Sequence, residues 1–168
     1  MKEIQYEKLR NLVAKTFSQS SQQFVDKALE YAEVKLAGIE RFDGADMIVH
    51  GVNVAIIVIE DIGLGRNSTV AAILHDVARI YHNTLSSDDF ALLTLDIKDL
   101  FGEEVLGIIM GLNDISHIKM KVASEQASDF RDMIVSYSQD PRVVLIKLAD
   151  RLEVMRSLEM FPKEKWEK

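Results

Sequence analysis

Two histidines and two aspartates carry the chemistry open to this chain: His50, the adjacent pair His75 and Asp76, and Asp150 within Lys147-Leu148-Ala149-Asp150-Arg151-Leu152. Two imidazoles and two carboxylates suit one divalent first-row metal that keeps water in its open positions. Each residue also has a plainer reading. A lone histidine on an apolar helix face commonly serves as a hydrogen-bonded core residue. Asp150 lies close enough on its helix to Lys147 and Arg151 for either to compensate its charge without a metal. Residue types alone leave both readings open.

These side chains need elements to position them. Only 2 prolines and 8 glycines interrupt the chain, and apolar residues recur at three- and four-residue steps, which predicts an all-α domain. Helices are expected over Ile4 to Phe17, from the Ser18–Ser21 cluster to about Ile39, and over Met47 to Glu60 with Asp46 as cap. Gly63 and Gly65 close that third element. Further helices are expected from Thr69 to about Ile80 after an Asn67 or Ser68 cap, from Asp88 to Leu100, and from Glu103-Glu104, where the dipole favours acids. A turn over Arg41–Asp46 and a polar loop over His82–Ser87 separate elements. Asp140-Pro141 starts the last helix, expected to reach about Met160 with a core-facing stripe of Val144, Leu145, Leu148, Leu152, Met155 and Leu158. His50, the His75-Asp76 pair and Asp150 then fall on three different helices. A shared ion would staple them at the centre of the bundle.

Composition narrows the partners. At 168 residues and 48% hydrophobic content the chain is one domain's worth. The balance of 20 Lys+Arg against 27 Asp+Glu, a net charge of −7, argues against a general nucleic-acid or anionic-membrane surface. The absence of cysteine excludes thiolate metal sites and fits a reducing cytoplasm. No apolar run is long enough to span a bilayer, and Met1-Lys2-Glu3-Ile4 has no signal core, so a cytoplasmic protein is expected.

The order of a single His, a His-Asp doublet and a distant Asp resembles that of the HD superfamily of metal-dependent phosphohydrolases. The surrounding runs Ala72–Val77, Leu100–Val105 and Asp140–Leu152, followed by Met155-Arg156-Ser157-Leu158, are similar to the N-terminal hydrolase domain of the RelA/SpoT family of (p)ppGpp synthetase/hydrolases. The likeness runs from about residue 20 to the end, and its Lys-Leu-Ala-Asp-Arg-Leu run is far more specific than a bare His-Asp.

The resemblance implies an HD-domain helical bundle that removes the 3′-pyrophosphate from (p)ppGpp with a Mn(II)-type ion. It implies His50, His75, Asp76 and Asp150 as metal ligands, Arg41 as an arginine stacking on the guanine base, and Ser157 as a hydroxyl lining the nucleotide pocket. It further implies one HD domain over residues 1–168, the N-terminal part of a longer chain. Phe161–Lys168 would begin a helix leading towards a synthetase domain, so that the parent would be a GTP pyrophosphokinase.

Several positions depart from the family pattern. Active members carry a Glu-Asp pair three and four residues after Asp76, where this chain has Arg79 and Ile80. That pair would orient water and move protons, so no residue here is assigned the acid-base role. The family's asparagine four residues past the metal aspartate is Val154, and the basic and small residues after the arginine are Phe42 and Asp43. Lys119 and Lys121 read as a solvated connector or a pyrophosphate contact, and His82 as a loop histidine or a substitute acid-base group. Three functions follow: a working (p)ppGpp hydrolase, a metal-binding but hydrolytically impaired domain that partners a synthetase, and an HD enzyme acting on another nucleotide.

Overall fold

In the computed structural model, which describes residues 2–41, 43–116 and 140–157, the centre is a helix buried on every side. The residues from Ser68 to Ala78 of α4 (Arg66–Thr84) are all buried. A helix enclosed in this way must be apolar or small all round, and Val70-Ala71-Ala72-Ile73-Leu74 meets that demand. Against it pack α2 (Gln19–Lys35), α3 (Ile48–Ile57), α5 (Ser87–Phe101), α6 (Glu103–Ser116) and α7 (Pro141–Arg156), while α1 (Lys2–Thr16) covers α2 and α3. These are seven α-helices with no strand among the described residues, so the expected all-α bundle is what the chain forms. No described helix is long and apolar enough to cross a membrane.

Helix ends follow local chemistry more closely than the sequence reading did. Asp46 does not cap α3: its carboxylate pairs with Lys2 Nζ at 3.1 Å, and α3 begins after Met47 with no side-chain cap. The third element leaves α geometry at Ile57 and finishes in a π turn over Val58–Ile62, stopped by Gly63 in the left-handed region at φ 80°. Gly65, not Asn67 or Ser68, is the N-cap of α4. That helix runs on to Thr84, which puts His82 on a helix and not in a loop. Ser86 caps α5, where Asp88 was expected to open it, accepting from Asp89 N–H at 3.2 Å while its hydroxyl donates to Asp89 Oδ2 at 2.7 Å.

The last helix starts as expected. Asp140 accepts from Arg142 N–H at 3.1 Å with Pro141 in the first turn. Arg142 also pairs with Glu104 at the start of α6, which ties the two helix beginnings together. Its inward face, however, is rotated from the expected stripe. Val143, Ile146, Ala149 and Glu153 are buried, while Leu148 and Met155 are 47% and 63% exposed. The helix turns its polar Asp150 and Glu153 inward with the core, so a count of apolar residues points to the wrong side. Leu158, and the expected extension to Met160, lie outside the described residues.

Two helix crossings are unusually close. A Cβ on Gly51 of α3 would stand 2.9 Å from the Ile73 carbonyl oxygen of α4, and one on Gly111 of α6 would stand 2.9 Å from Val143 Cγ2 of α7. The first meets backbone, which cannot swing aside. Gly51 follows His50 and Ile73 precedes His75 by two residues, so this crossing sets how near the two imidazoles come. Gly51→Ala is therefore expected to lower stability by roughly 1–3 kcal/mol through overpacking. Urea unfolding measures it, and an unchanged midpoint would show that the crossing tolerates a methyl group.

Candidate metal centre

Three helices deliver the polar groups to one point. His50 comes from α3, His75 and Asp76 from α4, and one potential ligand atom from each lies within 4.8 Å of the others. The two imidazole centroids are 5.3 Å apart. Asp150 reaches the cluster through His50, with Oδ1 3.0 Å from Nε2. All four residues expected as ligands thus meet in one neighbourhood, and three form the mutual cluster.

Hydrogen bonds fix how the rings present themselves. His75 Nδ1 donates to the Ala72 carbonyl at 2.6 Å, which leaves Nε2 directed at Asp76, 3.6 Å from Oδ1. His50 Nδ1 donates to Glu153 Oε2 at 2.6 Å, so its Nε2 faces Asp150 and, at 4.0 Å, Asp76 Oδ2. Metal-binding histidines usually have their second nitrogen held by a carbonyl or a carboxylate in this way. Asp76 Oδ2 is buried with no hydrogen-bond partner. An orphaned carboxylate oxygen beside two oriented imidazoles fits a divalent cation, and His50, His75, Asp76 and Asp150 are the residues that would hold it.

Glu153 is the residue that the sequence reading missed. Its carboxylate accepts from Arg41 Nη1 at 2.9 Å, Arg41 Nη2 at 3.3 Å, His50 Nδ1 at 2.6 Å, Asn53 Nδ2 at 3.2 Å and Ser157 Oγ at 3.4 Å. Its place three residues after Asp150, on the same helix face, was the available signal. Arg41 and Ser157, expected at a nucleotide, are thus both engaged with Glu153 here. Arg41 is held in a tight loop by Arg41 N–H to Ala45 O at 2.8 Å, and Asp43 Oδ1 accepts the Ala45 N–H of the same loop at 3.0 Å.

Two cations cover the outer carboxylate oxygens. Arg79 donates through Nε at 2.7 Å and Nη2 at 2.6 Å to Asp76 Oδ1, and Lys147 Nζ lies 2.6 Å from Asp150 Oδ2. Lys147, not the exposed Arg151, is the near cation on this helix. Ile80 and Val154 are half-buried. His82 stands on the exposed side of α4 with its ring 4.9 Å from that of Phe90. Phe42, Lys119 and Lys121 lie outside the described residues.

Burial opposes charge on each of these groups, and their neighbours overcome it. Burial lowers the affinity of His50 for a proton, but hydrogen bonds to Asp150 and Glu153 and the charge of Asp76 raise its pKa to about 9. Burial raises the carboxyls as well. It is outweighed at Asp76 by His75, His50 and Arg79, at Asp150 by His50, His75 and Lys147, and at Glu153 by His50 and Arg41, so all three are held below their ordinary range. The site is a buried network in which every carboxylate is paired with a cationic side chain.

Comparison with known protein sequences gives the family. The HD domain family matches residues 28–168, and the chain belongs to it. HD domains are metal-dependent, and the His/Asp cluster such a domain needs is present. Over most of its length its relatives are members of the RelA/SpoT family. It is 37% identical over 144 residues to the guanosine-3′,5′-bis(diphosphate) 3′-pyrophosphohydrolase of Aquifex aeolicus, covering 86% of this chain and 19% of that one. It is 38% identical over 122 residues to the bifunctional (p)ppGpp synthase/hydrolase SpoT of Escherichia coli K12, covering 72% and 16%, and 33% identical over 145 residues to a GTP pyrophosphokinase of Myxococcus xanthus, covering 84% and 18%. The chain spans less than a fifth of the length of these relatives.

Two outcomes follow for the chelator-treated protein. Glu153→Ala removes the buried carboxylate that Arg41 and His50 both bond to, and is expected to cost about 3–5 kcal/mol in chemical unfolding. A loss below about 1 kcal/mol, the scale of an exposed pair, would overturn the buried network. The second concerns pH. The groups facing His50 are Asp76 and His75 from α4 and Asp150 and Glu153 from α7. Stability due to the raised His50 is full below its ordinary 6.5 and is lost as pH climbs through about 9. Stability due to the depressed carboxyls is present above their ordinary 3.8 and 4.5 and is lost as pH falls below them. Unfolding midpoints should therefore peak at about pH 5–6.5, and a midpoint still rising from pH 7 to 9 would contradict the His50 assignment.

Proposed function

We propose that this chain is the HD domain of a (p)ppGpp synthetase/hydrolase, that it holds one divalent ion, Mn(II), on His50, His75, Asp76 and Asp150, and that its 3′-pyrophosphohydrolysis of (p)ppGpp is impaired. The names of its relatives support the substrate class, a guanosine carrying a 3′-pyrophosphate. A longer parent, with a synthetase domain that this domain would regulate, is supported by the small share of those relatives that the chain spans. Its working place in this reading is the cytoplasm.

Such an ion, when bound, lowers the pKa of its water towards about 7 and offsets the charge of a phosphate group. The chain's own residues supply the rest. Glu153 holds His50 and the Ala72 carbonyl holds His75 with their Nε2 atoms inward. Arg41, if released from Glu153 by a nucleotide, offers a planar cation for a guanine face.

The impairment rests on one observation: on the turn of α4 that follows Asp76, where the family pattern requires an acidic pair, Arg79 is bonded to Asp76 and Ile80 is apolar. A guanidinium stays protonated and has no acceptor, so it cannot take a proton from water, and an isoleucine can neither orient nor relay one. The missing general acid-base help is worth about 10²–10⁴ in rate.

The assay is release of pyrophosphate from ppGpp by the Mn(II)-loaded protein. Turnover is expected to be slow, and joint replacement of Arg79→Glu and Ile80→Asp is expected to raise it by about 10²–10⁴. Brisk turnover by the unaltered protein would refute impairment. A silent double variant would shift the cause to Val154, Phe42 and Asp43.

A further inference from the structure

Arg79 does more than replace an acid. It is bonded to one oxygen of Asp76, Oδ1, while the other, Oδ2, is buried with no hydrogen-bond partner. The Arg79 side chain is 39% exposed and that of Asp76 only 2%, so the guanidinium stands between a buried carboxylate and solvent. Around the four candidate ligands, Asp76, Asp150 and Glu153 meet Arg79, Lys147 and Arg41 in three direct ion pairs. Each of the three carboxylates is therefore already paired with a cationic side chain before any ion arrives. A divalent cation added to this neighbourhood leaves an excess of positive charge, with Arg79 as the most exposed member of it.

We propose that Arg79 is an anion-operated counter-ion: without an anion it sits on Asp76 and opposes the divalent cation, and a phosphate group arriving at its partly exposed guanidinium draws it off, so that cation and phosphate bind with positive coupling. This rests on the metal reading given above and adds a ligand class, a phosphate dianion or polyphosphate arm recognised jointly by the ion and a guanidinium. The chemistry favours it at each step. A carboxylate oxygen cannot give its full charge both to a guanidinium at 2.6 Å and to a metal, and like charges a few ångströms apart in a partly solvated site repel strongly. A guanidinium matches phosphate oxygens as well as it matches a carboxylate, and usually does so through two parallel N–H bonds. Coupling is reciprocal by thermodynamic necessity: whatever phosphate does for the cation, the cation does for phosphate.

The test uses the whole chain with Mn(II) and inorganic phosphate as probes. Free Mn(II) is followed by its electron paramagnetic resonance signal, with protein-free titrations correcting for manganese phosphate in solution. Wild-type protein is expected to bind Mn(II) about tenfold more tightly with saturating phosphate than without it. Arg79→Gln is expected to bind Mn(II) about tenfold more tightly than wild type in the absence of phosphate, and to lose most of the phosphate effect. The substituted side chain is partly exposed, so the variant should fold, and circular dichroism checks this. Equal Mn(II) affinities in the two proteins, or a phosphate effect that survives in Arg79→Gln, would overturn the counter-ion role while leaving the metal reading intact. Failure of both proteins to take up Mn(II) would overturn the metal reading and the proposal with it.

Discussion

The carboxylate of Glu153 is where the bundle and its site become one problem. Removing a carboxylate from water costs several kcal/mol unless donors replace the lost solvent. Here they come from the Arg41 loop, from His50 and Asn53 on α3, and from Ser157 at the end of α7. Satisfying Glu153 fixes the rotation of α7 about its own axis. Asp150, three residues earlier on the same face, then has to point at His50. The ligand neighbourhood is thus set from two sides, by a buried acid on α7 and by the close backbone approach at Gly51 between α3 and α4.

The same network decides protonation. Each imidazole gives its Nδ1 proton to a strong acceptor, one a carboxylate and the other a carbonyl, and each Nε2 turns towards the carboxylates. Without an ion, His50 keeps a second proton shared with Asp150, because three anions surround it and burial alone cannot remove it. A cation would take the place of that proton, so metal uptake and proton release are two descriptions of one exchange. Arg79 and Lys147 each pair with one oxygen of an aspartate of the cluster and offset its charge.

What could be read from the sequence divides along physical lines. The helical class was legible because apolar periodicity and scarce proline act locally, and the start of α7 was legible because an Asp cap before a proline needs no tertiary partner. His50, His75 and Asp76 were legible as a group by resemblance, and the bundle then brings them together. The inward face of α7 was not legible. Two of the residues that it turns inward are acids, and only partners from α3 and from the Arg41 loop make their burial affordable. Glu153 was missed for the same reason, since an acid three residues from another acid looks like a solvated surface until its donors are known. The caps at Gly65 and Ser86 differ from those expected because several polar residues in a row could each have served, and tertiary packing chooses among them.

The candidate ligands and positions 79 and 80 sit on different kinds of ground. His50, Asp76 and Glu153 are buried and each is the partner of another buried charge, so losing any one strands its neighbour inside the protein and endangers the fold. Positions 79 and 80 lie at the half-buried edge of α4, where a change of residue endangers the fold less than one at the enclosed cluster. Arg79 even contributes there by pairing with Asp76. In the reading proposed above, such a domain would lose the groups that use an ion while keeping those that hold it, because the candidate holders are also structural. A retained His-Asp constellation therefore reports on the architecture of the core first and on catalysis second. In the proposed reading, the residues that would discriminate between a hydrolase and a binding domain are the partly exposed ones a single turn further along the helix.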